Sequence, residues 1–136
     1  LPACFSVDAS DIPDLVPILA VLATFGTAPS RITGAHRLAI KESDRLSSTA
    51  AMLNALGGDV TATEDGLEIR PVSELHGGTV DSCGDHRIAM CAAVAATRCA
   101  GEVTILHGEC VEKSYPRFYE DYRQLGGNAH VIVLES

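Results

Sequence analysis

The 136-residue chain predicts an α/β fold in which a strand-helix-strand-helix-strand unit occurs twice. Three observations carry this reading. Short strand-like runs alternate with longer apolar periodic runs, the pattern of helices packed against a sheet. Asp14 and Asp85, Lys41 and Lys113, and Gly57 and Gly126 are pairs of like residues, each separated by about 70 positions. Leu56-Gly57-Gly58 is echoed by Leu125-Gly126-Gly127, each followed by Asp or Asn and then by strand residues. No linker or low-complexity stretch intervenes, so residues 1–136 read as a single compact domain fragment with repeat units at about 1–72 and about 73–136.

Taken in order, Cys4 to Val7 is a short strand candidate. In D-A-S-D-I-P-D-L-V-P, Asp11 or a neighbour can cap a helix and Pro13 suits its first position. That helix runs to about Phe25, with Leu15, Ile18, Leu19, Leu22 and Phe25 at helical spacing and Gly26 as its stop. Arg31 to Gly34 is a strand. A second helix spans about Ser43 to Leu56, with Leu46, Ala50 and Leu53 inward and Gly57-Gly58 ending it. Asp59 to Thr63 and Leu67 to Val72 form a hairpin around Glu64-Asp65-Gly66. The order then begins again, with a strand at Thr79 to Ser82 and a helix from His86 to about Arg98. A strand follows at Glu102 to Leu106, then a helix from Pro116 to Leu125 and a final strand at His130 to Leu134.

The net charge of −8 argues against a nucleic-acid surface, which needs clustered positive charge. No run is long and apolar enough to suggest a membrane span or a secretion signal. Leu1 rather than Met opens the sequence, as expected of a piece of a longer protein. Five cysteines without C-x-x-C spacing, Cys91 and Cys99 among them in an alanine-rich helix, point to a reducing compartment. The histidines show no metal-ligand spacing.

Cations are scarce, so their positions carry information. The only lysines, Lys41 and Lys113, precede predicted helices, and Arg45 and Arg87 fall at predicted helix starts. A helix start carries partial positive charge, so fold stability alone does not favour cations there. Lys41-Glu42-Ser43-Asp44-Arg45 is therefore read as an anion clamp with Glu42 as a proton-transfer group between two cations. The plain alternative is a solvated helix start with an acid cap and a local ion pair. In Asp85-His86-Arg87, Asp85 is a helix cap, while Arg87 can grip a carboxylate and His86 can move protons; a surface His-Arg pair is the competing reading. Asp14 is a favourable helix-start acid whose further role the residues alone leave open.

The ordered motifs D-I-P-D-L-V-P, K-E-S-D-R, D-H-R-I-A-M and K-S-Y-P closely resemble the C-terminal part of the 5-enolpyruvylshikimate-3-phosphate synthase family, the 3-phosphoshikimate 1-carboxyvinyltransferases. The resemblance runs over nearly the whole chain. It implies repeated βαβαββ units forming part of the C-terminal domain of an enolpyruvyl transferase, with helix starts facing a cleft between two domains. The implied reaction moves the enolpyruvyl group of phosphoenolpyruvate to the 5-hydroxyl of shikimate 3-phosphate and releases phosphate, on the route to chorismate and aromatic amino acids.

By the same resemblance, Asp14 matches an acid that contacts the shikimate hydroxyls and is a proposed base. Lys41 matches a shikimate 3-phosphate contact, and Glu42 a proton-transfer acid near the phosphoenolpyruvate methylene. Arg45, Arg87 and Lys113 match cations that hold phosphoenolpyruvate, and His86 their polar neighbour. Arg37 stands where some members use an asparagine to touch the shikimate substrate, and that contact is not carried over.

The resemblance further implies a cytoplasmic or plastid enzyme that needs no metal or organic cofactor. Its expected partners are the two substrates and a missing N-terminal domain, with no nucleic acid and no membrane. A fragment holding only two C-terminal repeat units is expected to be inactive alone. The alternatives are a relative of the enolpyruvyl transferase acting on UDP-N-acetylglucosamine, and a non-catalytic small-anion binding module.

Overall fold

The computed structural model describes residues 4–40 and 44–124. The elements in order are β1 (Ser6–Asp8), a 3-10 turn (Pro13–Leu15), α1 (Val16–Thr24), β2 (Ser30–Thr33) and a 3-10 helix (His36–Ile40). They continue with α2 (Arg45–Ala55), β3 (Asp59–Ala62), β4 (Leu67–Arg70), β5 (Leu75–Asp81) and α3 (His86–Ala96). β6 (Cys99–Leu106), a 3-10 helix (Gly108–Lys113) and α4 (Phe118–Gln124) complete the described chain. The expected strand at His130 to Leu134 and the glycine stop at Gly126-Gly127 lie outside the described residues.

One sheet has the order β1-β2-β4-β3, with β1 and β2 parallel and the other pairs antiparallel; the second pairs β5 with β6 in parallel. Each parallel pair is joined through a helix, α1 in the first sheet and α3 in the second, as a parallel connection requires. Alternation along β2 buries Ile32 and turns Arg31 outward, where it pairs with Glu68 across the strands at 2.9 Å. The hairpin forms as its turn residues suggest, with Thr63 N donating to Gly66 O at 2.8 Å. Gly66 lies directly against the Ile32 carbonyl, leaving no space for a side chain.

The core lies where α1, α2 and α3 pack on one another and on the sheets. Ala89, Ala92, Ala93 and Ala95 are buried along α3, and these short side chains permit close helix approach. The predicted inward set on α2, Leu46, Ala50 and Leu53, is buried. Gly57 ends that helix at φ +92°, a conformation that costs glycine little, and Gly58 N returns to Leu53 O at 2.9 Å. Asn54 then holds β3 by exchanging hydrogen bonds of 2.8 and 2.9 Å with the backbone of Val60.

Several local expectations differ from the structure: no side chain caps the Pro13–Leu15 turn, where Asp11 or a neighbour is expected to, and β5 begins at Leu75 rather than Thr79. The first helix is divided: Pro17 has no N–H to give to Pro13 O, and Val16 N takes that carbonyl in a tighter turn before α1 begins. Its buried residues are Val16, Pro17, Ala20, Val21, Ala23 and Thr24, whereas Leu15 and Leu22 are exposed. A helix apolar on every side gives periodicity no contrast to read. Cys99 opens β6 rather than continuing α3, and the 3-10 helix at His36–Ile40 is an element that the apolar pattern did not announce.

Candidate active site

Three segments distant in sequence meet at one end of the helical layer. Asp14 sits in the 3-10 turn before α1, Arg45 is the first residue of α2, and Asp85 and Arg87 open α3. The α2 start is fixed by Asp44, whose carboxylate accepts from Ser47 N at 3.2 Å. The α3 start is fixed by Asp85, whose Oδ1 accepts from Arg87 N at 3.0 Å.

Asp85 also grips Arg45. Arg45 Nε donates to Asp85 Oδ2 at 2.8 Å and Nη2 donates to Oδ1 at 3.2 Å, a two-pronged pair with side chains 2% and 0% exposed. The guanidinium also reaches outward, where Nη1 donates to Asp14 Oδ1 at 3.2 Å. Arg87 Nη2 lies 3.5 Å from the other oxygen of Asp14, and these two side chains are 38% and 52% exposed. One carboxylate therefore bridges two guanidiniums supplied by different helices.

This geometry revises both readings of the Arg45 segment. A solvated helix start is excluded for Arg45, which is buried. An arginine answering only to a bound anion is excluded too, because Asp85 holds it from within. Asp85 is the expected cap with an added task, to neutralise and orient Arg45. That second role was missed in the sequence, where no local spacing links positions 45 and 85.

Among the other proposed residues, His86 is half-buried at the first position of α3, beside Arg87. Lys113 closes the 3-10 helix that packs on α3 through Ala89, Cys110 and Val111. Lys41 and Glu42 lie outside the described residues, as does the side chain of Lys113. Arg37 is exposed on the 3-10 helix His36–Ile40. Among the described residues no group of three His, Cys, Asp or Glu is placed to hold a metal ion, and no helix is long and apolar enough to cross a membrane.

The loop before α3 is shaped by Asp81. Its Oδ1 accepts from Cys83 N at 2.8 Å and lies 3.2 Å from His107 Nδ1, and these contacts, the Cys83 one first, hold its carboxyl below the usual range. Cys83 takes a left-handed conformation there, at φ +56°.

One turn beyond Arg87, burial pushes the Cys91 thiol from 9.0 up to about 12. It stays protonated and inert at neutral pH, so iodoacetamide is expected to label exposed Cys4 and Cys83 in the native chain and to reach Cys91 only after unfolding. Because the folded value lies above the unfolded one, this thiol's contribution to stability is complete below 9.0 and is lost as pH rises toward about 12. Mass spectrometry of labelled peptides and urea melts across that range check both statements.

The match to a family model decides the relationship: the EPSP synthase (3-phosphoshikimate 1-carboxyvinyltransferase) model covers residues 3–122. The chain belongs to the EPSP synthase family. It is 53% identical over 124 residues to the 3-phosphoshikimate 1-carboxyvinyltransferase of Clostridium acetobutylicum, covering 91% of this chain and 29% of that protein. It is 50% identical over 121 residues to the enzyme of the same name from Clostridium perfringens, covering 89% and 28%. The solved EPSP synthase from Acinetobacter baumannii superposes with a TM-score of 0.80 at 35% identity, covering 88% of this chain and 28% of that structure. The chain thus has an EPSP synthase fold and spans under a third of the length of these family members.

Proposed function

We propose that this chain forms one wall of a cleft in which the enolpyruvyl group of phosphoenolpyruvate is transferred to the 5-hydroxyl of shikimate 3-phosphate. The observation that carries the reading is the meeting of Arg45 and Arg87, from two separate helix starts, at the carboxylate of Asp14. A substrate bearing a carboxylate and a phosphate needs several fixed cations, and a guanidinium buried and held by an inner acid, as that of Arg45 is, is already oriented for it. Arg45, Arg87 and Lys113 hold phosphoenolpyruvate with His86 beside them, and Lys41 takes the phosphate of shikimate 3-phosphate. Asp14 accepts from the shikimate hydroxyls.

In the addition step the 5-oxygen bonds to C2 of phosphoenolpyruvate, its proton leaves to a base, and C3 gains a proton from an acid, the role assigned to Glu42. Loss of a proton from C3, with cleavage of the C2–O bond to phosphate, completes the transfer. The opposite wall and the remaining contacts come from the rest of a longer protein. The two repeat units, about 1–72 and about 73–136, form part of its C-terminal domain. The protein works in the cytoplasm, in keeping with its free cysteines.

Phosphate release from the two substrates tests this. The isolated chain is expected to give none above background. A chimera with this segment in place of its counterpart in the Clostridium acetobutylicum relative is expected to turn over. In that chimera Arg87→Ala should lower kcat/KM by about 10- to 100-fold, the worth of a hydrogen bond to a charged group. An unaltered kcat/KM would remove Arg87 from the site, and robust turnover by the isolated chain would contradict the one-wall reading.

A further inference from the structure

We propose that Asp14 is a resident stand-in for the incoming anion: its carboxylate bridges the two guanidiniums that a substrate anion must reach, and binding proceeds by displacing it. This rests on the anion-cleft reading above. Asp85 and Asp14 are not equivalent as partners of Arg45. Asp85 holds the inner edge of the guanidinium through two bonds, the shorter 2.8 Å, and is wholly buried. Asp14 takes the outward nitrogen at 3.2 Å, reaches Arg87 at 3.5 Å, and is half exposed. A two-pronged bond to a buried carboxylate outlasts a single bond to one open to water, so the inner pair is built to stay and the outer bridge to exchange.

The arrangement has the form of the ligand it awaits, with one oxygen on each arginine, as a bound carboxylate or two oxygens of a phosphate would lie. Displacement has a second effect. A carboxylate turned to the arginines is not turned to a substrate hydroxyl; once an anion takes its place, Asp14 becomes available to accept one. Anion binding and hydroxyl recognition are then coupled through a single side chain.

The test is a titration of the chain with inorganic phosphate, followed by NMR at the Arg87 amide and the side-chain N–H groups of Arg45 and Arg87. Asp14→Asn removes the competing charge while keeping the shape. Asp11→Asn makes the same change of net charge at an exposed acid of the same segment that pairs with neither arginine. Asp14→Asn is expected to bind phosphate about 3- to 10-fold more tightly than the parent chain, the combined worth of two partly exposed ion pairs, with Asp11→Asn within about twofold of the parent.

Equal tightening by both variants would mean only net charge matters and would overturn the stand-in role. Unchanged or weaker binding by Asp14→Asn would overturn it as well. If no chain responds near Arg87, the anion cleft itself falls with it, a result distinct from a parent chain that binds as well as the variant. Preserved amide dispersion in Asp14→Asn shows that the variant is folded.

Discussion

Asp85→Ala is expected to lower folding stability by about 3–5 kcal/mol, the usual cost of removing one partner of a buried ion pair. Two effects add. Arg45, 2% exposed, keeps its charge but loses both of its inner hydrogen bonds. The α3 helix also loses the cap on Arg87 N, a contact of a kind worth about 0.5–2 kcal/mol. Against the total stability of a domain, about 5–15 kcal/mol, the loss is large and shifts the urea midpoint strongly. Replacing both partners by apolar residues of similar size, Arg45→Met with Asp85→Leu, should recover most of it, because the buried guanidinium and its carboxylate are removed together. Near-equal melts for Asp85→Ala and the parent chain would mean that water reaches Arg45 and that the pair is not buried in solution.

In the chimera described above, Glu42→Gln should reduce kcat by about 10²–10⁴-fold while leaving the affinity for both substrates within a small factor. Glutamine keeps the size and hydrogen-bonding reach of glutamate but has no proton to give to C3. Glu42 lies outside the described residues, three positions before an arginine whose placement is fixed. Single-turnover kinetics with isotope exchange at C3 would isolate the step. Retained kcat would assign the proton transfer to another group.

The parts of this molecule that local rules govern could be read from the sequence. Alternation in β2 and β4, the Glu64-Asp65-Gly66 turn, the Gly57 stop and the Asp85 cap each depend on residues a few positions apart, and each is found. The orientation of α1 could not be read, because its surface is apolar on all sides and only the neighbours to which Ala20 and Ala23 offer close approach decide which face is covered. The site divides in the same way. That Arg45 and Arg87 meet at the Asp14 carboxylate follows from their positions at helix starts once the fold brings those starts together. That Arg45 is neutralised by Asp85 depends on tertiary packing between α2 and α3, for which the sequence holds no periodic or local mark.

Arg45 comes from the half of the chain that builds the four-stranded sheet, and Asp85 from the half that builds the two-stranded one. The joint between the halves and the cationic seat of the proposed cleft are consequently one object. On that proposal, drift that loosens the seam blunts recognition at the same stroke, and a variant selected for a firmer joint inherits a more rigid receptor without any new contact to its guest.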